Sequence, residues 1–323
     1  MKRRKLIIIG ENELSNRLAK CACLKNLGDV VSLAVNVDGK PEKGTLVSEE
    51  ELPHTKTESN DLMTGADAVI VTIGYQMPGT PRCRRIRRDN LITTNLKLIE
   101  HTAHSVREYA PDAFVLCITN PLNPMVWAFQ KFSGLPSHMV VGLADNAIDS
   151  FRLSFLLAEE LKIAARDIQA LIIGGTGDDM VPIIRHSSVG GISLTELVKI
   201  GLLPEEKLDL VLNQIRKTEP KLDITSSQQD EPVCCTLSEA ALSLIESHFR
   251  DQKRLISCSC RLNGEYGVHD VYIGVPAVIG TKGVERVIEL ELDSREKVRF
   301  NKALAATKNI IGICREARPS LSS

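Results

Sequence analysis

The first half of the chain alternates short apolar runs with stretches of helical spacing. Four runs rich in β-branched residues show little polar alternation, which is typical of strands buried on both faces. They are Lys5–Ile9, Val30–Val35, Ala68–Thr72 and Ala113–Thr119. Segments with helical spacing lie between them, as in Leu14–Leu27 and Asn90–Tyr109. This alternation predicts an α/β lobe built on a doubly wound parallel sheet.

The second half mixes longer helices with further strands. Its pattern predicts helices at Asp145–Leu161, Leu194–Arg216, Leu237–Arg250 and Ser294–Arg315, and strands at Ile168–Ile173, Leu255–Leu262, Val271–Ile279 and Val287–Leu292. This mixture favours a second, α+β domain. We therefore expect two domains, residues 1–143 and residues 144–323, and a length of 323 residues suits that number.

Charge and cysteine content exclude several classes of protein. Lys and Arg number 40 against 41 Asp and Glu, so no excess of positive charge is available for nucleic acid or an anionic membrane. No apolar run approaches the roughly 18 residues that span a bilayer, and Leu6–Ile9 is too short for an export signal. The nine cysteines form no repeated CxxC pairs, so we expect neither disulfides nor a metal site. We also expect the protein to be cytoplasmic, because unpaired cysteines are typical of a reducing compartment.

A turn that could hold a nucleotide follows the first predicted strand. A dinucleotide-binding turn needs glycines where the backbone approaches the pyrophosphate. Here only Gly10 is present, with Asn12 at the close-approach position and Ser15 at the helix-packing position. The end of the second strand carries Val35 where an acidic residue would bond the ribose. The turn alone is equally consistent with an α/β lobe that binds no nucleotide.

Five ordered motifs make the interpretation more specific. They are Ala68–Gly74, Thr119–Pro121, Asp149–Arg152, Gly174–Asp178 followed by Met180–Pro182, and Asn263–Gly267 with Asp270–Pro276. In this order they resemble the lactate/malate dehydrogenase family over essentially the whole chain. The resemblance implies a Rossmann-type NAD domain, a substrate domain, and hydride exchange between NAD and a small 2-oxo or 2-hydroxy acid. It also implies a homodimer or homotetramer.

The resemblance assigns roles to individual residues. Arg152 corresponds to the arginine that clamps the substrate carboxylate, a task suited to a planar fork of donors. Asp149 corresponds to the carboxylate that orients a catalytic histidine, and Asn120 to the residue at the cofactor and the substrate carbonyl. The alternatives without a catalytic role are that Arg152 is a surface arginine on a helix and that Asn120 belongs to a turn-forming Asn-Pro pair. Gly10, Asn12, Gly74 and Asn120 correspond to the cofactor side.

The position of the catalytic histidine carries Thr176 instead. A threonine hydroxyl does not titrate near neutrality, and the loss of a positioned general acid typically costs about 10²- to 10⁴-fold in rate. His186 is the nearest histidine along the sequence, but no pattern places it beside Arg152. We therefore expect weak or absent turnover of lactate or malate, and the alternative is an inactive relative that binds a carboxylate ligand or another subunit.

The loop expected over the site also departs from the family. Gln76 falls where the family selects substrates, and glutamine there resembles the lactate type. Either Arg88 or Arg82 corresponds to the arginine that polarises the substrate carbonyl, and Arg88 has the better flanking sequence. Five arginines occur in residues 82–88, either as a solvated loop or as a grip for a ligand more anionic than lactate.

Overall fold

The computed structural model describes residues 3–10, 12–35, 41–47, 54–58, 62–73, 88–143, 145–175, 179–217 and 231–322. For residues 41–47, 54–58, 88–91, 145–148, 217, 231–236 and 322 it describes the backbone alone. Statements about the fold below concern these ranges.

Eight helices and fifteen strands form this part of the chain. The helices are α1 Glu13–Leu24, α2 Arg88–Tyr109, α3 Leu122–Ser133, α4 Asp145–Leu161, α5 Leu194–Lys199, α6 Glu205–Lys217, α7 Glu231–Arg250 and α8 Ser294–Ala317. The strands are β1 Lys5–Ile9, β2 Asp29–Val35, β3 Pro41–Val47, β4 His54–Glu58, β5 Ala68–Val71, β6 Phe114–Cys117, β7 Val140–Gly142, β8 Ile168–Gln169, β9 Ile172–Gly174, β10 Met180–Pro182, β11 Ser188–Val189, β12 Ile192–Ser193, β13 Arg254–Asn263, β14 His269–Gly280 and β15 Gly283–Val287.

Five parallel strands form the centre of the main sheet, in the order β7-β6-β5-β1-β2. Their side chains are buried on both faces. In β1, Leu6 and Ile8 belong to one core cluster, and Ile7 and Ile9 belong to another on the opposite face. Helix α1 packs into the first cluster, whereas α2 and α3 pack into the second. The predicted doubly wound α/β fold is confirmed.

The sheet extends beyond the predicted strands at both edges. On one side β3 and β4 add antiparallel strands next to β2, a pair that the polar sequence of residues 41–58 did not indicate. On the other side the long β13–β14 hairpin continues the sheet, because Ser259 pairs with Gly142 of β7. Strands β8, β11 and β12 form a separate small sheet. The architecture combines a parallel centre with an α+β second half, as expected.

Two predicted elements are each divided in the structure. The expected helix Leu194–Arg216 is two helices, because Gly201 adopts a left-handed φ of 73° and Pro204 lacks the N–H that a continuing helix needs. The expected strand Ile168–Ile173 is β8 and β9, which belong to different sheets. Between them the N–H of Leu171 donates to Ser187 Oγ at 3.0 Å instead of to a strand.

The predicted strand Val287–Leu292 is wrong in position. The observed strand β15 covers Gly283–Val287 and pairs with β14. Beyond it the N–H of Leu290 donates to the Tyr266 hydroxyl at 2.9 Å, so the strand hydrogen bonding ends there. Among the described helices, none combines the length and apolarity that crossing a membrane requires.

Candidate functional site

The carboxyl ends of the parallel strands bring several of the predicted site residues to one edge of the sheet. Gly10 follows β1, Thr72 follows β5, and Asn120 lies three residues after β6. Helix α4 begins three residues after β7 and carries Asp149 in its second turn. In open α/β sheets this edge is where ligands bind.

Gly10 makes the turn between β1 and α1, and its conformation admits no other residue without strain. Its φ is +150°, and a Cβ built on it would lie 2.0 Å from Thr72 Oγ1. Its N–H donates to the carbonyl of Leu33 at 3.0 Å, which fixes the turn against β2. The close approach of Gly10 to Thr72 keeps the first turn of α1 beside the end of β5.

Asn12 and Ser15 cap the start of α1 reciprocally. The Asn12 side chain accepts from the Ser15 N–H at 2.9 Å, and the Ser15 hydroxyl accepts from the Asn12 N–H at 3.0 Å. Asn12 Nδ2 also donates to the carbonyl of Thr72 at 3.1 Å. The two residues that replace glycines are therefore bonded to each other and to the neighbouring strand.

The end of β2 gives no acidic group within the described residues. Val35 is partly buried and packs against the same core cluster as Ile7 and Ile9. The following segment, residues 36–40, lies outside the described residues.

Asn120 is exposed after β6, where the chain turns into α3. Its peptide bond to Pro121 is cis. Its carbonyl accepts a hydrogen bond from Asn95 Nδ2 of α2 at 2.6 Å, so the turn is tied to a helix on one face of the sheet. The Asn120 side chain is exposed at the same edge as the Gly10 turn.

Helix α4 carries the most perturbed carboxyl of the candidate site. Asp149 is 1% exposed, and its Oδ1 accepts from Arg152 Nη1 at 3.4 Å. Burial raises the pKa of the Asp149 carboxyl to about 7, although the Arg152 guanidinium opposes this shift. Its Oδ2 is buried and has no hydrogen-bond partner among the residues that the structure describes. The pair thus combines a carboxyl that titrates near neutrality with a guanidinium fork.

Four predicted site residues lie outside the described residues, namely Gly74, Gln76, Arg82 and Thr176. Arg88 begins α2, but its side chain is also outside the description. The segment that contains Thr176 is bracketed by β9 and β10, which pair antiparallel. The N–H of Gly175 donates to the carbonyl of Asp179 at 3.0 Å, which closes the base of the turn.

His186 is the nearest histidine to Thr176 along the sequence. It is exposed in a short 3₁₀ turn, Ile184–His186, and it lines a groove together with Ser150. No cluster of three or more His, Cys, Asp or Glu side chains that could hold a metal occurs in the described ranges.

Two family models together match nearly the whole chain. Residues 5–142 match the lactate/malate dehydrogenase NAD binding domain, and residues 147–316 match the lactate/malate dehydrogenase alpha/beta C-terminal domain. The chain belongs to the lactate/malate dehydrogenase family. This confirms the family that the five motifs indicated.

Individual members of the lactate/malate dehydrogenase family are similar throughout their length. A malate dehydrogenase of Xanthobacter autotrophicus is 40% identical, over 99% of each chain. The crystal structure of the Cryptosporidium parvum malate dehydrogenase has a TM-score of 0.82 at 27% identity, over 97% of this chain and 99% of that one. The lactate dehydrogenase from Eimeria maxima, solved with NADH and oxamate, has a TM-score of 0.81 at 29% identity, over 99% of this chain and 97% of that one.

Sequence reasoning missed the contribution of Thr72. The sequence predicts Thr72 only as the end of a strand, yet its carbonyl accepts from Asn12 Nδ2, and its Oγ1 occupies the space that a side chain at Gly10 would need. The cap at Asn12 could have been found, because Asn is a preferred N-cap residue, but Ser15 is not the Glu or Gln that completes the usual capping signature. No local signal indicates the contact with Thr72.

Proposed function

We propose that this protein interconverts a small 2-oxo acid and its 2-hydroxy acid with NAD, and that its turnover is slow. The observation that carries the proposal is the Asp149–Arg152 pair of α4, a buried carboxyl 3.4 Å from a guanidinium in the family's second domain. The Eimeria maxima neighbour, solved with NADH and the 2-oxo acid analogue oxamate, supports this class of ligand.

Arg152 is the proposed carboxylate clamp. Its guanidinium offers a planar fork that matches a carboxylate with two parallel hydrogen bonds. When ionised, the Asp149 carboxylate competes with a substrate carboxylate for the Arg152 guanidinium. Because burial raises the pKa of Asp149 to about 7, its carboxyl is partly neutral at neutral pH, and that leaves Arg152 available to an incoming substrate.

The turn from β1 to α1 fits the diphosphate of NAD in part. Gly10 removes a side chain from the turn, and the N-terminus of α1 favours an anion. The capping bonds occupy the N–H groups of Asn12 and Ser15, whereas those of Glu13 and Leu14 have no partner inside the helix. Val35 offers no hydrogen bond to the ribose, so we expect NADH to bind weakly. When bound, NAD supplies the hydride acceptor or donor.

Proton transfer is the step that this sequence handles differently from its family. Thr176 cannot give or take a proton near neutral pH. Among the described residues at the substrate side, Asp149 is the group that titrates in that range. We expect Asp149 to hold the proton in place of an imidazole. We attribute slow turnover to the absence of a histidine that would pass this proton to the substrate.

The second candidate is an inactive relative that binds a carboxylate ligand. Two observations favour it: Thr176 at the histidine position, and Asp149 Oδ2 buried without a partner among the described residues. In this alternative Arg152 still holds the ligand carboxylate, but no proton is delivered to the carbonyl.

Titration of NADH fluorescence with pyruvate, oxaloacetate and oxamate tests the proposal, followed by turnover of wild type and Thr176→His. We expect weak NADH binding, detectable but slow wild-type turnover, and a gain of about 100-fold in kcat for Thr176→His. Arg152→Gln should abolish oxamate binding, while Arg166→Gln, which changes an exposed arginine, should not.

Each outcome of these titrations is decisive. Absence of NADH binding at millimolar concentration would contradict the enzyme. Binding without turnover in wild type would establish the inactive alternative. Rapid wild-type turnover of pyruvate or oxaloacetate would show that Thr176 does not limit the reaction.

We also propose a homodimer or homotetramer in the cytoplasm. Phe151 and Phe155 are 39% and 49% exposed on α4, with ring centroids 5.9 Å apart, and an exposed aromatic pair suits a subunit contact. Light scattering of wild type and of Phe151→Ser with Phe155→Ser tests this, and a monomeric wild type would contradict it.

A further inference from the structure

A groove of about 520 Å³ lies on the far side of α4 from Arg152. Its walls come from α4, α7, β8 and β13, and from the segment after β15. Successive helix residues are about 100° apart, so Ser150, which lines the groove, lies about 160° around the helix from Arg152. The groove is therefore distinct from the proposed substrate site, although both share one helix.

The groove combines basic side chains with apolar walls. Arg254 and His186 line it, and none of the lining residues that the structure describes is an Asp or a Glu. Arg254 Nη1 donates to Ser243 Oγ, which holds the guanidinium at the groove. The body of the groove includes Ile256 and Leu255, and Leu255 is 61% exposed.

The carboxylate of Glu289, which is close to the groove in sequence, bonds to Tyr266. Glu289 lies between two lining residues, Ile288 and Leu290, but its carboxylate accepts from the N–H of Tyr266 at 2.7 Å. It therefore does not neutralise the guanidinium inside the groove. The lining favours a ligand with one negative charge and a compact apolar part, and the volume lies within the range of small-molecule sites.

Two serines of the groove wall hold the strand that leads to Thr176. The N–H of Ile172 donates to Ser150 Oγ at 3.1 Å, and Ser257 Oγ donates to the carbonyl of Ile172 at 3.0 Å. Ile172 begins β9, which ends at Gly174, two residues before Thr176. A ligand in the groove would cover both serines and protect this part of β9 from solvent.

We propose that this groove is a second binding site, which takes a small amphipathic carboxylate with its carboxylate at Arg254 and its apolar part against Leu255 and Ile256. The ligand class follows from the charge of the lining residues and from the apolar walls. The proposal does not rest on the proposed dehydrogenase activity, because Arg152 does not line the groove.

Calorimetric titration of the full-length protein with hexanoate tests the proposal. Hexanol has a similar apolar chain without the charge, and acetate has the charge without the chain. We expect saturable binding of hexanoate, and binding of both controls that is weaker by at least about tenfold. Arg254→Gln should weaken hexanoate binding by about tenfold or more, while Arg152→Gln and Arg250→Gln should leave it unchanged. Arg250 serves as a matched control because it pairs with Glu246 outside the groove.

A second variant and a second measurement locate the ligand. Ala240→Phe places a ring in the groove from α7 and should abolish hexanoate binding, and a cooperative thermal transition shows that the variant is folded. Amide hydrogen exchange at Ile172 should slow when hexanoate is added to wild type, but not to Arg254→Gln. Slowed exchange that survives in Arg254→Gln would overturn the proposal.

Three further results would contradict the proposed binding site. They are the absence of saturable hexanoate binding, loss of binding in Arg152→Gln but not in Arg254→Gln, and binding that light scattering shows to require dissociation of an oligomer. The last result would assign the groove to a contact between subunits. Failure of this site leaves the NADH and oxamate titrations unaffected, so the two proposals can fail separately.

Discussion

Two polar clusters at the same edge of the sheet differ in how completely their groups are paired. At the start of α1, Asn12, Ser15 and Thr72 bond to one another through side chains and backbone. In α4, Asp149 has one oxygen 3.4 Å from Arg152 and another that is buried without a partner among the described residues.

The difference indicates separate tasks for the two clusters. A buried polar group that is fully paired contributes to stability, whereas one that is left unpaired costs free energy until a ligand or a proton satisfies it. The α1 cluster is complete without a ligand. The α4 cluster reduces its cost by raising the pKa of Asp149, and it is the one that a carboxylate ligand would change most.

The largest expected effect comes from breaking the α1 cluster at Gly10. Gly10→Ala should lower the free energy of unfolding by about 3 kcal/mol, because the backbone is strained and the new Cβ would lie 2.0 Å from Thr72 Oγ1. Urea denaturation measures this loss.

Gly65→Ala is the matched control for Gly10→Ala. Gly65 also has a positive φ, +73°, but a Cβ there would meet no atom within 4 Å. We expect a cost of about 1 kcal/mol from strain alone. Equal losses in the two variants would show that the contact with Thr72 is unimportant, and adding Thr72→Ala to Gly10→Ala should restore part of the stability if it matters.

A smaller effect is expected from neutralising the α4 cluster with Asp149→Asn. The pKa of Asp149 is raised from 3.8 to about 7 on folding, so the folded state binds the proton more tightly than the unfolded chain does. Its stabilising contribution is complete below about pH 4 and is lost as the pH rises through about 7. The wild type should therefore lose stability between these values, and the variant should not. At pH 8 the pKa shift sets an upper limit of about 4 kcal/mol on the gain from Asp149→Asn, and we expect about half of it because the buried amide has its own desolvation cost.

Chemical denaturation of both proteins across this pH range measures the difference. Asp167→Asn, which changes an exposed carboxyl in a long ion pair, should follow the wild-type curve. Parallel curves for wild type and Asp149→Asn would mean that Asp149 is ionised throughout, in which case its Oδ2 must have a partner outside the described residues.

The sequence predicts the α4 cluster but not the contacts that complete the α1 cluster. The apolar runs predicted the parallel strands, because strands buried on both faces leave an unbroken β-branched signal. The spacing of Asp149 and Arg152 by three residues placed them on neighbouring faces of one helix. The contact of Asn12 with Thr72 joins residues about sixty positions apart and left no local trace. The polar strands β3 and β4 were missed because their sequence has no apolar alternation to mark them.

The smallest expected effect tests whether the α1 cluster acts as one unit. Asn12→Ala and Ser15→Ala should each cost about 1 kcal/mol, the usual loss for a helix N-cap. The double variant should cost scarcely more than either single one, because the two bonds are reciprocal and the first substitution already disrupts both.

A second capping box in the same protein gives the matched control. Asp293 and Glu296 cap α8 in the same reciprocal way. Asp293→Ala should therefore cost about as much as Asn12→Ala, with no change in NADH affinity. If Asn12→Ala strengthens NADH binding while it weakens the helix, Asn12 has been retained for stability at the expense of the cofactor. If NADH affinity falls instead, the capped helix terminus is itself part of the cofactor site, and the two clusters are less separate than their pairing indicates.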